Sequence, residues 1–376
     1  MLSLLVPTRN RPGYLRRLLL YLRQMEFHHQ IVIADSSSIP ICETNLRIAA
    51  SMRNELDIAY KQYEPEAGFF SKIAGALSTF ESKYSVICGD DDFPVERAMD
   101  QCVQFMESNP DYSVAHGRLV NMYPLTPVHG TTRLCTQSLS QRTLDDPDPC
   151  LRLREHLQGY EATFYSVQRR TDMIRNIELA AKVTKDYRFG ELLPSCLSVI
   201  QGKVKYLKVL HGVRPYHPDS TSGSHIDWAS LLASDDFSDR YTAFRNCLID
   251  ELVGVARVAT EEAGNIADEA FLKYLARILY EKYRLGIDQR TSRTARRMKL
   301  VWQTARALPA AICLAFMERR AGIMIADPRQ FVRLARIESD PRYMSVDRML
   351  HTSAFRSDFS PIHEIVMCYP QGVPDS

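Results

Sequence analysis

The chain has 376 residues, of which 45% are hydrophobic and 24% are charged. These proportions are typical of a globular protein that buries a core, and they exclude a mainly disordered chain. The formal net charge of +2 argues against a protein that coats nucleic acid, so no nucleic-acid partner is predicted. At this length, one large domain with an appendage, or two domains, is expected.

The cysteines and the first residues bear on the cellular compartment. Nine cysteines are scattered without a close CxxC pair, at positions 42, 88, 102, 135, 150, 196, 247, 313 and 368. We expect reduced thiols, mostly in the core. The chain opens on an apolar run at residues 2–6, without the features of a signal peptide, so a cytoplasmic location is predicted.

The first half of the chain alternates short apolar runs with longer amphipathic ones. This pattern is typical of an α/β fold, in which helices cover a mainly parallel sheet. Strands are predicted at residues 2–6, 30–34, 58–63, 84–88 and 112–115. Helices are predicted at residues 12–25, 42–54, 68–80 and 94–108.

Polar residues follow three of these strands, at positions 7–10, 35–38 and 89–92. In an open α/β sheet, ligands bind at the carboxyl ends of the strands. The three polar segments therefore indicate one common site.

The segment Gly89-Asp90-Asp91-Asp92 is the sharpest chemical signal in the chain. Two carboxylates ~6 Å apart repel by about 3 kcal/mol at an effective dielectric constant of ~20. Mg²⁺ or Mn²⁺ would turn that repulsion into binding, because both prefer oxygen ligands and also bind substrate phosphates. A solvated acidic turn that caps the helix beginning near Pro94 is the alternative.

Four segments in order resemble the inverting family 2 glycosyltransferases with the GT-A fold. They are residues 4–12, residues 31–37, Gly68 with Lys72, and residues 86–92, the last in the place of that family's DXD motif. The resemblance covers about the first 215 residues. It implies a GT-A domain, an activated sugar donor of the nucleoside diphosphate class such as a UDP-sugar, and Mn²⁺ or Mg²⁺ as cofactor.

The resemblance also implies roles for particular residues. Asp35 should accept hydrogen bonds from the base, and Lys72 should face the phosphates, although a solvated helix lysine explains Lys72 as well. The implied nucleotide-binding residues are Pro7, Thr8, Asn10, Arg11, Asp35, Ser36, Lys72, Asp90 and Asp91. The implied metal ligands are Asp90, Asp92 and His217.

The aspartate segment departs from the family in one respect. It reads Gly-Asp-Asp-Asp instead of the more common Asp-x-Asp-Asp. Either Asp90 and Asp92 form the DXD pair, or Asp91 and Asp92 do. The sequence leaves both assignments open.

An inverting transfer needs a general base that takes the proton of the acceptor hydroxyl. An acidic residue before an apolar helix that ends at Gly202 is similar to the family's catalytic base. Glu191 lies nearest to the expected position, and Asp186 is the second candidate. The alternative for Glu191 is that it only complements the helix dipole in a first turn.

A polar stretch at residues 219–225 predicts a mobile loop and a domain boundary. By resemblance, His217 or His211 in or near this loop would touch the metal. The predicted division is a GT-A domain at residues 1–222 and a mainly helical region at residues 223–376. Helices are predicted at residues 244–262, 269–287 and 294–317.

The last of these helices is strongly basic and includes an apolar run at residues 307–317. This run is interrupted by Pro309 and is shorter than the ~20 residues that a membrane-spanning helix needs. The segment is either a peripheral contact with an anionic membrane or a helical lid with a solvated arginine face. Arg296 and Arg297 lie near the start of this predicted helix.

Together these features predict a metal-dependent enzyme that transfers a sugar from a nucleoside diphosphate to a hydroxyl of a glycan or lipid-linked acceptor, with inversion. A sugar nucleotidyltransferase of similar fold is one alternative, but it usually has a glycine-rich loop directly after the first strand. Here no glycine occurs before Gly13. A catalytically silent binding module is the other alternative.

Overall fold

A computed structural model describes residues 2–79, 81–128, 131–138, 142–184, 186–216, 228–290, 343–351, 353–369 and 372. The strands in these ranges are β1 (Leu2–Thr8), β2 (Gln30–Asp35), β3 (Ile58–Gln62), β4 (Tyr84–Ile87), β5 (Phe93–Pro94), β6 (Tyr112–Val128), β7 (Thr131–Ser138), β8 (Val167–Arg169), β9 (Lys203–Pro215) and β10 (Tyr343–Ser345).

The helices of the same ranges are α1 (Pro12–Gln24), α2 (Ile39–Met52), α3 (Phe69–Leu77), α4 (Glu96–Ser108), α5 (Pro149–Gln158), α6 (Arg170–Val183), α7 (Tyr187–Gln201), α8 (Trp228–Leu232), α9 (Phe237–Ala256), α10 (Thr260–Arg290), α11 (Val346–His351) and α12 (Arg356–Cys368). The predicted α/β class with a C-terminal helical region is confirmed.

The strands form one sheet in the order β3-β2-β1-β4-β8-β6-β7-β10, with β9 beside β6 and β5 beside β9. Strands β1 to β4 are parallel, as predicted. The other half is mostly antiparallel, because β8 runs against both β4 and β6, and β7 runs against β6. The sheet is therefore mixed. The predicted parallel arrangement holds in the half that carries the first two polar strand ends and the aspartate segment, and in the other half β9 also runs parallel to β6.

Strand β6 extends well past the predicted end at Ala115. The apolar run stops at His116 and Gly117, which is why the sequence pattern ended the strand there. At Gly117 the strand passes so close to β9 that a Cβ would lie 2.6 Å from the carbonyl oxygen of Val209. Glycine thus lets the parallel β6–β9 pairing continue through an irregular register.

Helices cover both faces of the parallel half. Alternate residues of a strand point to opposite faces. Leu4 and Val6 of β1 pack in one core with α1, α2 and α4, whereas Leu5 packs in another core with α3 and α6. The parallel strands are buried on both sides, which leaves their carboxyl ends as the accessible edge.

The helical region shares cores with the sheet domain. Helices α8 to α10 pack against α5 and α7 in a third core, in which the ring of Phe189 contacts Trp228, Phe244 and Phe271. Helices α11 and α12 pack in the same core as α1 and α4. The predicted boundary between residues 222 and 223 lies outside the described residues and stays a prediction.

The cysteines and the segment expected to contact a membrane were also predicted from the sequence. Seven cysteines of the described ranges are free thiols, and six of them are buried, as expected for core residues. Of the helices in the described ranges, none is both long and apolar enough to span a bilayer. The basic segment with Arg296 and Arg297, and the apolar run at 307–317, lie outside the described residues.

Glycine 190 sets the packing of α7 against α3. A Cβ at this buried position would lie 2.1 Å from Cε2 of Phe70, so alanine would displace the ring. We expect Gly190→Ala to lower the free energy of unfolding by about 1–3 kcal/mol, as is usual for overpacking. Gly254→Ala is the matched control, since nothing lies within 4 Å of its Cβ on helix α9; it should raise stability by about 0.5–1 kcal/mol. Urea titrations measure both, and equal effects would contradict the packing argument.

Candidate functional site

A cavity of about 670 Å³ lies at the carboxyl ends of β1, β2 and β4 and is closed on one side by the end of β9. It brings together all three polar strand ends, as the sequence predicted. Predicted residues that line it are Pro7, Thr8, Arg11, Ser36, Lys72, Asp90, Asp91, Asp92 and Glu191. Lining residues that the sequence analysis did not assign include Arg9, Phe69, Phe164, Tyr165, Tyr187, Arg188 and Arg214.

The aspartate turn, residues 89–92, follows β4 and closes through a hydrogen bond from Asp92 N to Gly89 O of 3.1 Å. A Cβ at Gly89 would lie 2.7 Å from Oδ1 of Asp91 and 3.1 Å from Oδ2 of Asp92. Any side chain at position 89 would therefore push on these two carboxylates. The close carboxylates explain why glycine suits position 89 in this chain.

Arginines compensate the three carboxylates of the turn. Arg11, the residue before α1, contacts Asp90 Oδ1 through Nη1 at 3.1 Å and pairs with Asp91 through Nη2. Arg214 of β9 lies with Nε 3.2 Å from Oδ2 of Asp92. These ion pairs offset the repulsion that three adjacent negative charges would otherwise cost.

Burial still acts on the carboxylates. Asp90 is 2% exposed, and its Oδ2 accepts a hydrogen bond of 2.7 Å from the Thr8 hydroxyl. Burial raises the pKa of Asp90 to about 7, although Arg11 opposes the shift. Burial likewise raises the pKa of Asp92 to about 6, opposed by Arg214. Both carboxylates thus lie where an added positive charge would be bound favourably.

Asn10 and Asp35, two residues predicted to bind the nucleotide, hold the strand-end loops together. Asn10 has a positive φ of 56°; its N–H donates to Ser37 Oγ, and its side-chain oxygen accepts from Ser38 N. Asp35 is fully buried and accepts hydrogen bonds from Ser37 N and from Asn45 Nδ2, both at 2.7 Å. Neither residue lines the cavity.

Lys72 lies beneath the ends of β1 and β2. Its Nζ donates to the carbonyl oxygen of Thr8 at 3.1 Å and to Ser36 Oγ at 2.8 Å. The residue is only 4% exposed, and burial lowers its pKa to about 8, against the opposing charges of Asp35 and Asp90. The solvated lysine considered as the alternative from the sequence is therefore wrong.

Glu191 faces the cavity from the second turn of α7. Burial raises the pKa of its carboxyl group, whereas the charge of Arg214 and a hydrogen bond from the Tyr187 hydroxyl oppose the shift. The dipole alternative fails for Glu191, because α7 begins at Tyr187 and Asp186 is its N-cap. A partly buried carboxylate with a raised pKa beside a cation suits a general base.

Asp186 lies away from the cavity. Its Oδ1 accepts the N–H of Phe189 at 2.9 Å, and its Oδ2 lies 3.4 Å from Nη1 of Arg240 on α9. The second candidate for the base thus has a structural task as helix cap and ion-pair partner.

Of the two candidate histidines, His211 does not line the cavity. By resemblance, His211 was expected to touch the metal, but it lies in β9, where it is 3% exposed. Its Nε2 lies 3.0 Å from the carbonyl oxygen of Tyr165, and burial lowers its pKa to about 4. His217 lies outside the described residues.

An aromatic wall, formed by Phe69, Phe164, Tyr165 and Tyr187, lines the cavity on the side of Glu191. The Phe69 and Phe164 rings are nearly parallel with centroids 6.1 Å apart, and Phe69 also contacts Tyr187 at 5.6 Å. Arg214 lies over the Tyr165 ring at 4.5 Å. A basic residue at the end of a strand that precedes a polar loop was the sequence signal for Arg214.

The aspartate turn offers oxygen donors for a cation. Within the described ranges, no three His, Cys, Asp or Glu side chains converge as a complete ligand set. Mg²⁺ and Mn²⁺, however, keep several waters and take the rest from one or two carboxylates and substrate phosphates. Asp92 lines the cavity and is held by Arg214 through Oδ2, whereas both oxygens of Asp90 are engaged. The residues fit a cation held by Asp92 and completed by a diphosphate.

No protein-family model matches the chain, and no curated protein matches its sequence. Among solved structures, the chain is similar to S. aureus TarS, a glycosyltransferase. TarS 1–349 is 15% identical with a TM-score of 0.46, and the match covers 81% of this chain and 79% of that one. The complex of TarS 1–349 with UDP is 16% identical with a TM-score of 0.45, and the match covers 89% of this chain and 86% of that one. The complex of TarS 1–349 with UDP-GlcNAc is 15% identical with a TM-score of 0.41, and the match covers 76% of this chain and 92% of that one. Sequence identities and TM-scores this low do not define the chemistry of the site.

The buried Lys72 predicts a pH-dependent stability. Its pKa is about 8 in the folded chain and near 10.5 when unfolded. Below pH 8 both states are protonated and the full cost of burying the charge applies. Between pH 8 and 10.5 the folded chain loses the proton first, so stability rises with pH. Relative to Lys72→Met, the free energy of unfolding of the wild type should gain on the order of 3 kcal/mol over this window. Urea titrations at several pH values measure it, and a constant difference would contradict the burial of Nζ.

Proposed function

We propose that the protein is a metal-dependent, inverting glycosyltransferase that uses a nucleoside diphosphate sugar. The observation that carries the proposal is the composition of one cavity. A carboxylate turn with its arginines lies at the strand ends, and a separate carboxylate of raised pKa, Glu191, faces the same space. A donor with a charged diphosphate and an acceptor that must lose a proton would need these two kinds of group together.

The diphosphate end of the donor is assigned to the aspartate turn. Asp92 would hold Mn²⁺ or Mg²⁺ with the phosphates, and the bound cation would supply Lewis-acid stabilisation of the departing diphosphate. Arg214 and Lys72 bring two more positive charges to this side of the cavity, and both are already in place before the ligand arrives. Preorganised charges of this kind stabilise a leaving group without reorganisation.

Glu191 is assigned as the general base. It would take the proton of the acceptor hydroxyl as the oxygen bonds to the anomeric carbon and the bond to the diphosphate breaks. The raised pKa of this carboxyl group lies closer to physiological pH than the ordinary value does, which improves proton transfer to it. Attack opposite the leaving group inverts the anomeric centre.

The acceptor is assigned to the aromatic wall. Rings that line a pocket bind the apolar faces of ligands and leave polar groups to orient them. Tyr187 lies next to Glu191 on this wall and packs against Phe69. This is where a sugar hydroxyl has to be placed. A glycan or lipid-linked glycan is therefore the proposed acceptor class.

Removal of the Asp92 charge should weaken the binding of the metal. One carboxylate charge near a divalent cation is worth several kcal/mol at an effective dielectric constant of about 20. In Asp92→Asn, we expect the Mn²⁺ concentration needed for UDP binding to rise roughly a hundredfold. Calorimetric titration with UDP and Mn²⁺ measures this, and UDP-GlcNAc is the first donor to test for UDP release.

The variants Asp90→Asn and Asp91→Asn decide which carboxylate accompanies Asp92, because the larger loss marks the second ligand. Pair formation with Arg11 is common to both residues and serves as the internal control. Metal-independent UDP binding that is equal in all three variants would overturn the metal assignment. Formation of a sugar nucleotide and pyrophosphate, without UDP release, would overturn the transferase assignment.

Glu191→Gln should retain UDP and Mn²⁺ binding and lose turnover by about 10²- to 10⁴-fold, the usual worth of a general base. Asp186→Asn is the matched control on the same helix. Asparagine also caps a helix, so this variant loses only the negative charge that faces Arg240. It should cost less than about 1 kcal/mol of stability, while turnover per folded molecule is kept. Turnover that survives in Glu191→Gln, or is lost in Asp186→Asn, would contradict the assignment. The anomeric configuration of the product, read by NMR, tests inversion.

A further inference from the structure

Helix α1 supports the backbone around the aspartate turn at two points. Nη2 of Arg17 donates to the carbonyl oxygen of Asp91 at 3.1 Å. The hydroxyl of Tyr21, one turn further along the helix, donates to the carbonyl oxygen of Pro94 at 3.0 Å. Both carbonyls flank Asp92, so α1 fixes the main chain on either side of the proposed metal ligand.

Arg17 is the more unusual of the two supports. It is a charged side chain that is only 1% exposed, which is costly unless its donors are used. Its guanidinium group lies 5.0 Å from the ring centroid of Tyr14 and 5.1 Å from that of Phe93. Its Nη1 donates to the carbonyl oxygen of Tyr369 at 3.0 Å. One guanidinium group therefore joins the aspartate turn to a residue near the end of the chain.

Tyr369 belongs to a C-terminal turn, formed by Tyr369 and Gly372, that follows α12. The Gly372 N–H donates to the same Tyr369 carbonyl at 3.2 Å. Gly372 has a φ of +88°, and a Cβ there would lie 2.7 Å from the carbonyl carbon of Gly13 in α1. The C-terminal turn thus packs closely against the first turn of α1. That helical turn lies between Arg11 and Arg17 in the sequence.

Helix α12 holds the C-terminal turn in place. It buries Phe359 and Ile362 in the core that it shares with α1 and α4. Asp358 pairs with Arg97 of α4 at 2.9 Å. The position of the turn is therefore set by the packing of the last helix as well as by Arg17.

We propose that Arg17 is a positioning residue that couples the C-terminal turn to the aspartate turn. Docking of the chain's end on α1 then helps to set the affinity of the site for a diphosphate with its cation. The coupling itself follows from the contacts, and only the identity of the ligand rests on the proposed function. Because coupling between sites is reciprocal, ligand bound at the aspartate turn should also protect the C-terminal turn.

Hydrogen exchange on the full-length chain tests the coupling without an activity assay. In Gly372→Val, strain and the contact with Gly13 should dislodge the C-terminal turn. We expect faster exchange at residues 365–369 and also at 89–92, although the substitution lies at the other end of the sequence. Asp358→Asn removes only the pair between α12 and the mostly exposed Arg97, and it leaves the buried core of α12 intact. Such a surface pair contributes little, so exchange at 89–92 should be unchanged in this control variant. Exchange at 89–92 that is unchanged in Gly372→Val, with faster exchange at 365–369, would overturn the proposal.

Arg17→Lys keeps the charge and loses the two-carbonyl fork. We expect it to raise the dissociation constant for UDP with Mn²⁺ by roughly tenfold and to abolish the protection of residues 365–369 that this ligand gives the wild type. Protection that persists in Arg17→Lys would overturn the role of Arg17. Coupled exchange in Gly372→Val, with no UDP binding by any variant, would leave the coupling standing and refute the proposed donor.

Discussion

The structure around the cavity depends on the compensation of three adjacent carboxylates at the end of a buried strand. Asp90 and Asp92 are both raised in pKa by burial, so they are stable as anions only because cations lie against them. Arg11 comes from the start of α1, and Arg214 comes from the far end of β9. The observed form of the aspartate turn therefore depends on contacts from segments that are distant in the sequence.

Burial gives the cavity its chemical character. It lowers the pKa of Lys72 and raises the pKa of Glu191, so groups of both signs are pushed toward neutrality in the same low-dielectric space. Electrostatic interactions are stronger there than in water. A charged ligand that enters exchanges its contacts with water for contacts with protein groups that are already oriented. Lys72 is fixed by two strand-end oxygens, and Glu191 is fixed by α7 and Tyr187. This arrangement favours a phosphate-containing ligand beside a proton-accepting group.

The parallel half of the fold was predictable because its strands are buried on both faces and read as short apolar runs. The starts of β1, β2, β3 and β4 agree with the predicted positions, and their ends differ by one or two residues. The antiparallel half was not predictable in the same way. Strand β6 continues through Gly117 beyond the end of its apolar run, and β5, β8 and β10 have only two or three residues each. Strands this short form because they pair with neighbouring strands. The pattern of a single sequence does not show which distant segments will pair.

The sequence by itself determined that three polar strand ends meet at one edge, that a carboxylate turn lies there, and that Glu191 precedes a strand on an apolar helix. Apolar periodicity and local turn chemistry suffice for such statements, because they depend on residues close together in the chain. Only the tertiary structure decided that Asp35 is a buried support, that Asp186 is a helix cap, and that Arg214 and Arg17 act at the aspartate turn. These roles depend on which side chains meet across long sequence separations, and packing of the whole chain, not any local pattern, selects those partners.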